Sequence, residues 1–117
     1  MKFLASPLLI AALLTGIPAV AGAHAHMPAL DENDPLTADI RLCNDVVDAA
    51  LWALNDRDKG QPMRSFAGDD LKARLQNEVT RHIFTEAQIR SQKFAMGYAR
   101  GRCNEALQAE RDNATAR

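Results

Sequence analysis

Apolar residues recur along most of the chain at the three- and four-residue spacing of amphipathic helices, and this pattern predicts three of them. The first has Asp34 as its N-cap and Pro35 at its first helical position, and it ends before Gly60. Its predicted apolar stripe consists of Leu36, Ile40, Cys43, Val47, Ala50 and Leu54.

The pattern predicts a second helix that starts near Asp69 or Asp70 and runs to about Phe84. Its apolar face consists of Leu71, Leu75, Val79 and Ile83. Thr85 to Gln88 has the form of a capping box, which predicts that the third helix begins there and continues to about Arg111. The inner face of that helix is predicted to carry Ile89, Phe94, Tyr98, Ala99, Cys103, Ala106 and Leu107.

No stretch of the sequence has the two-residue alternation of a β-strand, so the expected fold is all-α. We predict a small antiparallel bundle of three helices over residues 35–111, followed by a frayed tail at 112–117. Gly97 and Gly101 lie four residues apart in the third helix, where glycine is unfavourable. Their expected role is to let the first helix approach closely.

The amino terminus has the pattern of a secretory signal peptide: a positive start at Lys2, an apolar run from Phe3 to Val20, and small residues after it. The run is too short to span a bilayer. We therefore expect residues 1–23 to be removed, with cleavage after residue 21, 23 or 25, and 24–34 to form a flexible leader. The mature chain is then periplasmic or secreted, without insertion into the membrane.

Cys43 and Cys103 are the only two cysteines, and both fall on predicted apolar faces. Outside the cytoplasm such a pair is expected to form a disulfide, which would stabilise the domain by roughly 4 kcal/mol according to the chain-entropy treatment. Two buried free thiols are the alternative.

Charge offers little evidence for a nucleic-acid or membrane partner. The formal net charge is −1, which becomes −2 when the single charge of Lys2 is removed. Acidic residues are concentrated in the first half of the chain and basic residues in the second. Either the acidic and basic helices face each other or water, or the second half presents a basic surface to which a partner docks. The expected partner is another protein or a second copy of the chain. Candidate contact residues, if exposed, are Trp52, Phe66, Phe84, Arg90, Lys93 and Arg100.

No residue pattern indicates catalysis, and we expect a binding protein that is not an enzyme. His82 has no nucleophile or carboxylate at a telling spacing. Four carboxylates flank the loop between Gly60 and Gly68, where they could form an acid/base pair, a weak cation site or, as we prefer, a solvated loop. They are Asp56, Asp58, Asp69 and Asp70.

Two histidines next to the predicted cleavage sites raise the possibility of copper binding. Cleavage after Ala21 or Ala23 places His24 or His26 third in the mature chain. There the amine, two amides and the imidazole can chelate Cu(II) or Ni(II) in square-planar geometry. Cleavage after Ala25 makes His26 the terminal residue. Otherwise we expect no cofactor.

Cys43, then Ala49-Ala50, then the segment from Arg57 to Pro62, and finally Cys103 form a pattern that resembles small secreted bacterial two-cysteine helical proteins. Their shared pattern is Cys…Arg-Asp-x-Gly…Cys, and most are of unknown function. The resemblance implies a disulfide-tied periplasmic helical domain and no particular activity. The chain is also similar in size and cysteine number to periplasmic acid-stress chaperones, and in profile to immunity proteins that block secreted effectors. Acid-stress chaperone, immunity protein and copper-binding factor are therefore the alternatives to a general binding role.

Overall fold

A computed structural model describes residues 31–116 of the chain. Within this range there are three helices and no strand: α1 Pro35–Asp58, α2 Leu71–Thr85 and α3 Gln92–Ala116. The predicted all-α bundle of three helices is thus confirmed. Its core consists of Val46, Val47, Ala49, Ala50, Ala53, Leu54, Leu75, Val79, Ile83, Ala95 and Ala99, together with the two cysteines.

The predicted ends of α1 are confirmed. The Asp34 side chain accepts a hydrogen bond of 2.9 Å from the backbone N–H of Leu36, and Pro35 occupies the first turn. At the other end Gly60 has a φ of +71°, which glycine adopts without steric cost. Its N–H donates to the carbonyl of Arg57, which ends the helix. Ahead of α1, residues 31–34 of the predicted leader form a turn.

Helix α2 begins where the sequence predicts, because the side chain of Asp70 accepts a 3.0 Å hydrogen bond from the backbone N–H of Ala73. Its direction refines the predicted antiparallel arrangement. Lys72 in its first turn pairs with Asp45 in the first half of α1, at 3.7 Å. Arg57 at the end of α1 binds the carbonyl of Ile83 at the end of α2. The two helices therefore run in the same direction.

The connection between α1 and α2 runs back along the bundle and is pinned to it. The Arg64 Nε donates a 2.7 Å hydrogen bond to the carboxylate of Asp56, which is itself buried. The same guanidinium lies 5.1 Å from the ring centre of Trp52, and Trp52 stacks on Phe66 with 6.4 Å between ring centres. The side-chain amide of Asn77 pairs with both backbone groups of Phe66. The connection of twelve residues is therefore anchored to the helices through Arg64 and Phe66.

The disulfide between Cys43 and Cys103 is confirmed and closes a separation of 60 residues. It joins α1 to α3, and both cysteines are buried. Asp39 and Arg111 lie 3.7 Å apart further along the same pair of helices. Because 39 is before 43 and 111 is after 103, α3 runs antiparallel to α1, as predicted.

The predicted start of α3 is wrong. The hydroxyl of Thr85 donates to the carbonyls of Arg81 and His82 and so belongs to the last turn of α2, not to a capping box. With Thr85 as its cap the helix would begin at Glu86, whereas α3 begins six residues later, at Gln92. There the Ser91 hydroxyl accepts a hydrogen bond from the N–H of Phe94 and acts as the cap.

Three further expectations for α3 are also corrected. Phe94 is 68% exposed rather than part of the inner face, because the seam is formed by Ala95, Ala99 and Cys103, spaced by four. Gly97 and Gly101 face open space, with nothing within 4 Å of an added Cβ, and so mediate no close approach. The helix also continues to Ala116, past the predicted end at 111.

The predicted signal peptide, most of the leader and the metal candidates His24 and His26 lie outside the described residues. In residues 31–116, none of the helices combines the length and the apolar character that a bilayer crossing requires.

Candidate functional site

The corner between α2 and α3 is held by one side chain from α1. The guanidinium of Arg57 donates hydrogen bonds of 2.7 Å to the carbonyl of Ile83 and 2.9 Å to that of Glu86, and a third to the carbonyl of Ile89. The last carbonyls of a helix have no partner within it, so Arg57 supplies part of what α2 lacks. Asp58 accepts two hydrogen bonds from the same guanidinium.

This geometry explains the Arg-Asp-x-Gly segment as architecture. Arg57 binds the backbone carbonyls at the α2–α3 corner, and Asp58 orients the guanidinium of Arg57 by accepting its hydrogen bonds. Gly60 provides the positive φ that turns the chain out of α1. Two acidic residues lie at the carboxyl end of α1, where the helix dipole disfavours negative charge, and each has a cationic partner. Asp58 pairs with Arg57, and Asp56 pairs with Arg64.

Helices α2 and α3 touch each other through polar and aromatic side chains more than through apolar ones. The rings of His82 and Tyr98 stack, with centres 3.8 Å apart and planes 11° from parallel. One turn further from the corner, Arg102 donates hydrogen bonds to both carboxylate oxygens of Glu78, at 2.9 and 3.1 Å. Arg102 also reaches Glu105, at 3.0 Å.

Burial raises the pKa of Tyr98, and the neighbouring Glu78 carboxylate raises it further. The hydrogen bond to Glu78 raises the pKa of Arg102, although its partial burial acts in the opposite sense. Both groups therefore keep their ordinary protonation states across the physiological range: Tyr98 neutral and Arg102 charged. The contact between the helices is a fixed polar seam.

An open groove of about 710 Å³ lies between α2 and α3, and the seam residues Glu78 and Arg102 are part of its lining. Its apolar lining residues are Leu71, Leu75, Ala106 and Ala109. Leucine on one side and alanine on the other leave room over α3 for an inserted side chain. A groove of this form suits a segment of polypeptide better than a small molecule, because it is open to solvent rather than enclosed and combines apolar with charged lining residues.

The groove is lined by charged side chains on both sides: Glu78 of α2 pairs with Arg102 of α3, and the remaining charges are basic on α2 and acidic on α3. On the α2 side stand Arg74 and Arg81, seven residues apart and so on one face of the helix. On the α3 side stand Glu105 and Glu110. Within residues 31–116, neither arginine forms an ion pair, nor does Glu110, while Glu105 pairs only with Arg102. The groove therefore presents unneutralised charge of both signs.

The candidate contact residues from the sequence are not gathered on one surface. Trp52 is 41% exposed and stacks with Phe66, which is itself half-buried, as is Phe84. Arg90 lies in the corner before α3, and Lys93 lies in its first turn. Arg100 lines a separate, smaller groove of about 240 Å³ between α1 and α3.

The four carboxylates around the α1–α2 connection do not form a site. Asp56 is neutralised by Arg64, Asp58 by Arg57, and Asp70 caps α2. Among residues 31–116 there is no group of three or more histidine, cysteine or acidic side chains that could hold a metal ion. His82 is half-buried in α2, where its ring stacks on that of Tyr98.

The α2–α3 groove was missed by the sequence analysis, although part of its pattern is visible in the sequence. Arg74 and Arg81 flank the apolar face of α2 at Leu75, and Glu105 and Glu110 flank Ala106. What the sequence does not show is that these two flanks face each other, since that depends on the direction of α2.

No protein-family model matches the chain, and no curated protein or solved structure is significantly similar to it.

Proposed function

We propose that this chain is an exported helical binding protein that accepts a segment of polypeptide in the groove between α2 and α3 and performs no chemistry itself. The observation that carries the proposal is the groove, which combines four apolar lining residues with charged ones, of which Arg74, Arg81 and Glu110 have no ion-pair partner within residues 31–116. Such a surface buries a stripe of apolar side chains and aligns the charges on either side of that stripe.

Export is supported by two independent features. The amino terminus has the pattern of a signal peptide, and Cys43 and Cys103 form a disulfide of the kind that persists in oxidising compartments. The test is sequencing of the amino terminus of the chain purified from its host. A mature protein starting at residue 22, 24 or 26 is expected. A chain that retains Met1 and is found in the cytoplasm would refute export.

The groove is tested by photo-crosslinking in living cells. A photoreactive amino acid replaces Ala109 in the groove or, as the matched control, Ala38, which is exposed on α1 and lines neither groove. We expect a discrete adduct from position 109 and none from position 38. Adducts from position 38 alone, or from both equally, would contradict binding in the groove.

A further inference from the structure

The two cysteines of the disulfide differ in their access to solvent. Cys103 is completely buried, whereas Cys43 is 9% exposed and lines the open groove of about 240 Å³ between α1 and α3. Helical spacing explains the difference. The α3 residues that line this groove form one stripe, Arg100, Asn104, Leu107 and Arg111. Cys103 lies outside that stripe, on the face that packs against α1, so Cys43 is the cysteine that borders the groove.

This asymmetry determines how the disulfide can react in the folded domain. Exchange begins when a thiolate reaches one of the two sulfur atoms. A thiolate that enters the groove meets Cys43, and its sulfur forms a bond to the sulfur of Cys43. The bond between Cys43 and Cys103 breaks in the same step, and its electron pair stays on Cys103 as a thiolate. The incoming sulfur is thereby oxidised and the sulfur of Cys103 is reduced.

Charged side chains at the groove favour an anionic reactant. Arg100 forms no ion pair within residues 31–116, and Arg111 lies 3.7 Å from its carboxylate partner Asp39. Two cationic side chains and one anionic side chain leave an excess of positive charge there. The reactive form of a thiol is its thiolate, whose local concentration rises near positive charge. The groove is smaller than the pockets that enclose drug-sized ligands, so it suits a small thiol or a single cysteine side chain.

From these observations we infer that Cys43 is the exchange sulfur of the domain, at which an anionic thiol entering the α1–α3 groove opens or closes the disulfide. Cys103 is the buried sulfur that leaves and returns. It can attack Cys43 again, which expels the visiting thiol and restores the disulfide. Otherwise a second thiolate of the visitor attacks the visiting sulfur, which releases Cys43 as a thiolate and completes the reduction. The inference is independent of the proposed binding role, which concerns the other groove.

Two single-cysteine variants of the mature chain test the inference. Cys103→Ser retains only Cys43, and Cys43→Ser retains only Cys103. Each is incubated with the disulfide form of glutathione, which is anionic, and the mixed disulfide is followed by mass spectrometry. The variant that retains Cys43 is expected to react at least about tenfold faster, because its thiol is accessible in the folded state. Equal rates in two variants that are folded by circular dichroism, or a faster reaction at Cys103, would overturn the inference.

A measurement on the unaltered chain does not depend on the folding of these variants. The oxidised chain is treated with reduced glutathione, quenched with acid, and mapped by mass spectrometry of its peptides. The mixed disulfide is expected at Cys43, at a rate that is proportional to the glutathione concentration and nearly independent of low urea concentrations. An adduct at Cys103 contradicts the inference. So does a rate that rises with urea as steeply as the unfolding equilibrium, because exchange then requires the unfolded chain.

The entry route is tested through charge. Arg100→Glu should slow exchange with glutathione by about three- to tenfold at low salt and should accelerate exchange with cysteamine, which is cationic. The matched control is Lys93→Glu, which makes the same change in charge on α3 outside both grooves and should leave both rates unchanged. An unchanged rate in Arg100→Glu, or an equal effect of the control, rules out the groove as the route.

A last arm distinguishes a small thiol from a protein thiol. The oxidised chain is mixed with a dithiol oxidoreductase whose resolving cysteine has been replaced, so that a disulfide-linked complex accumulates. A complex through Cys43 that forms faster than the glutathione adduct at equal concentration identifies a protein thiol as the partner. A slower one leaves the small anionic thiol, and a complex through Cys103 refutes the inference. The crosslink at Ala109 probes the other groove, so failure here leaves the proposed function standing.

Discussion

Replacing Arg57 with methionine should destabilise the domain more than any other single change of a charged residue in α1. Its side chain is only 16% exposed and donates hydrogen bonds to three carbonyls, those of Ile83, Glu86 and Ile89. Hydrogen bonds from charged donors contribute about 1.5–3 kcal/mol each, but these three share one side chain and their carbonyls can regain some water. We therefore expect Arg57→Met to lower the free energy of unfolding by about 2–4 kcal/mol.

The assay is urea unfolding of the oxidised chain followed by circular dichroism. With a slope of about 1 kcal/mol per molar, the expected loss lowers the midpoint by about 2 M or more. Arg57→Lys should be intermediate, because one ammonium cannot reach three carbonyls at once. Arg90→Met is the matched control, since Arg90 is exposed and unpaired within residues 31–116. If Arg57→Met unfolds within about 0.5 kcal/mol of the unaltered chain, the role assigned to this side chain is wrong.

Three further changes test other parts of the structure. Cys43→Ala with Cys103→Ala should cost roughly 4 kcal/mol in the same assay, and an unchanged midpoint would show that the disulfide contributes nothing to the stability of the domain. Gly97→Ala should stabilise by about 0.5–1 kcal/mol because the position is helical and open, whereas a loss would reveal a close neighbour. Stability should fall as the pH rises through the raised pKa of Tyr98, because the folded state holds that proton more tightly than the unfolded chain. Tyr98→Phe should remove this loss of stability at alkaline pH, and an equal loss in the variant would show that another group causes it.

The ends of α1 and α2 could be predicted because local chemistry sets them. Asp34 and Asp70 each cap a helix through their own side chains, and Gly60 ends one through a φ that few other residues adopt. The disulfide could be predicted from two cysteines on apolar faces and an expected oxidising compartment. The capping residues and Gly60 lie next to the helix ends that they set. The two cysteines are the only ones in the chain, so no other pairing is possible.

The features that were missed depend on contacts between distant residues. Thr85 begins a plausible capping box, but Arg57 from another helix holds the carbonyls of Glu86 and Ile89 and keeps that segment out of a helix. Phe94 has the hydrophobicity of a core residue. The face of α3 that packs on α1 is set instead by Ala99 and Cys103, and Phe94 lies off that face and is exposed to solvent.

The direction of α2 was also beyond the sequence, and the groove follows from it. A connection of twelve residues is long enough either to turn sharply or to run back along α1. The chain takes the second course because Arg64 and Phe66 bind residues within the helices. Had α2 turned back instead, its arginines would not stand opposite the acidic side of α3.

The groove and the Arg-Asp-x-Gly segment lie at opposite ends of the α2–α3 pair, and this separation bears on what the segment means. Arg57 holds the corner, and the groove lies along the part of the α2–α3 pair away from it. In the function proposed above, the segment fixes the helices that form the groove, whereas side chains such as Arg74 and Glu105 select its occupant. Substitutions in the walls should change the partner without changing the fold, and substitutions in the segment should do the reverse. A chain that shares the segment and the two cysteines can therefore be expected to share this architecture while binding something different.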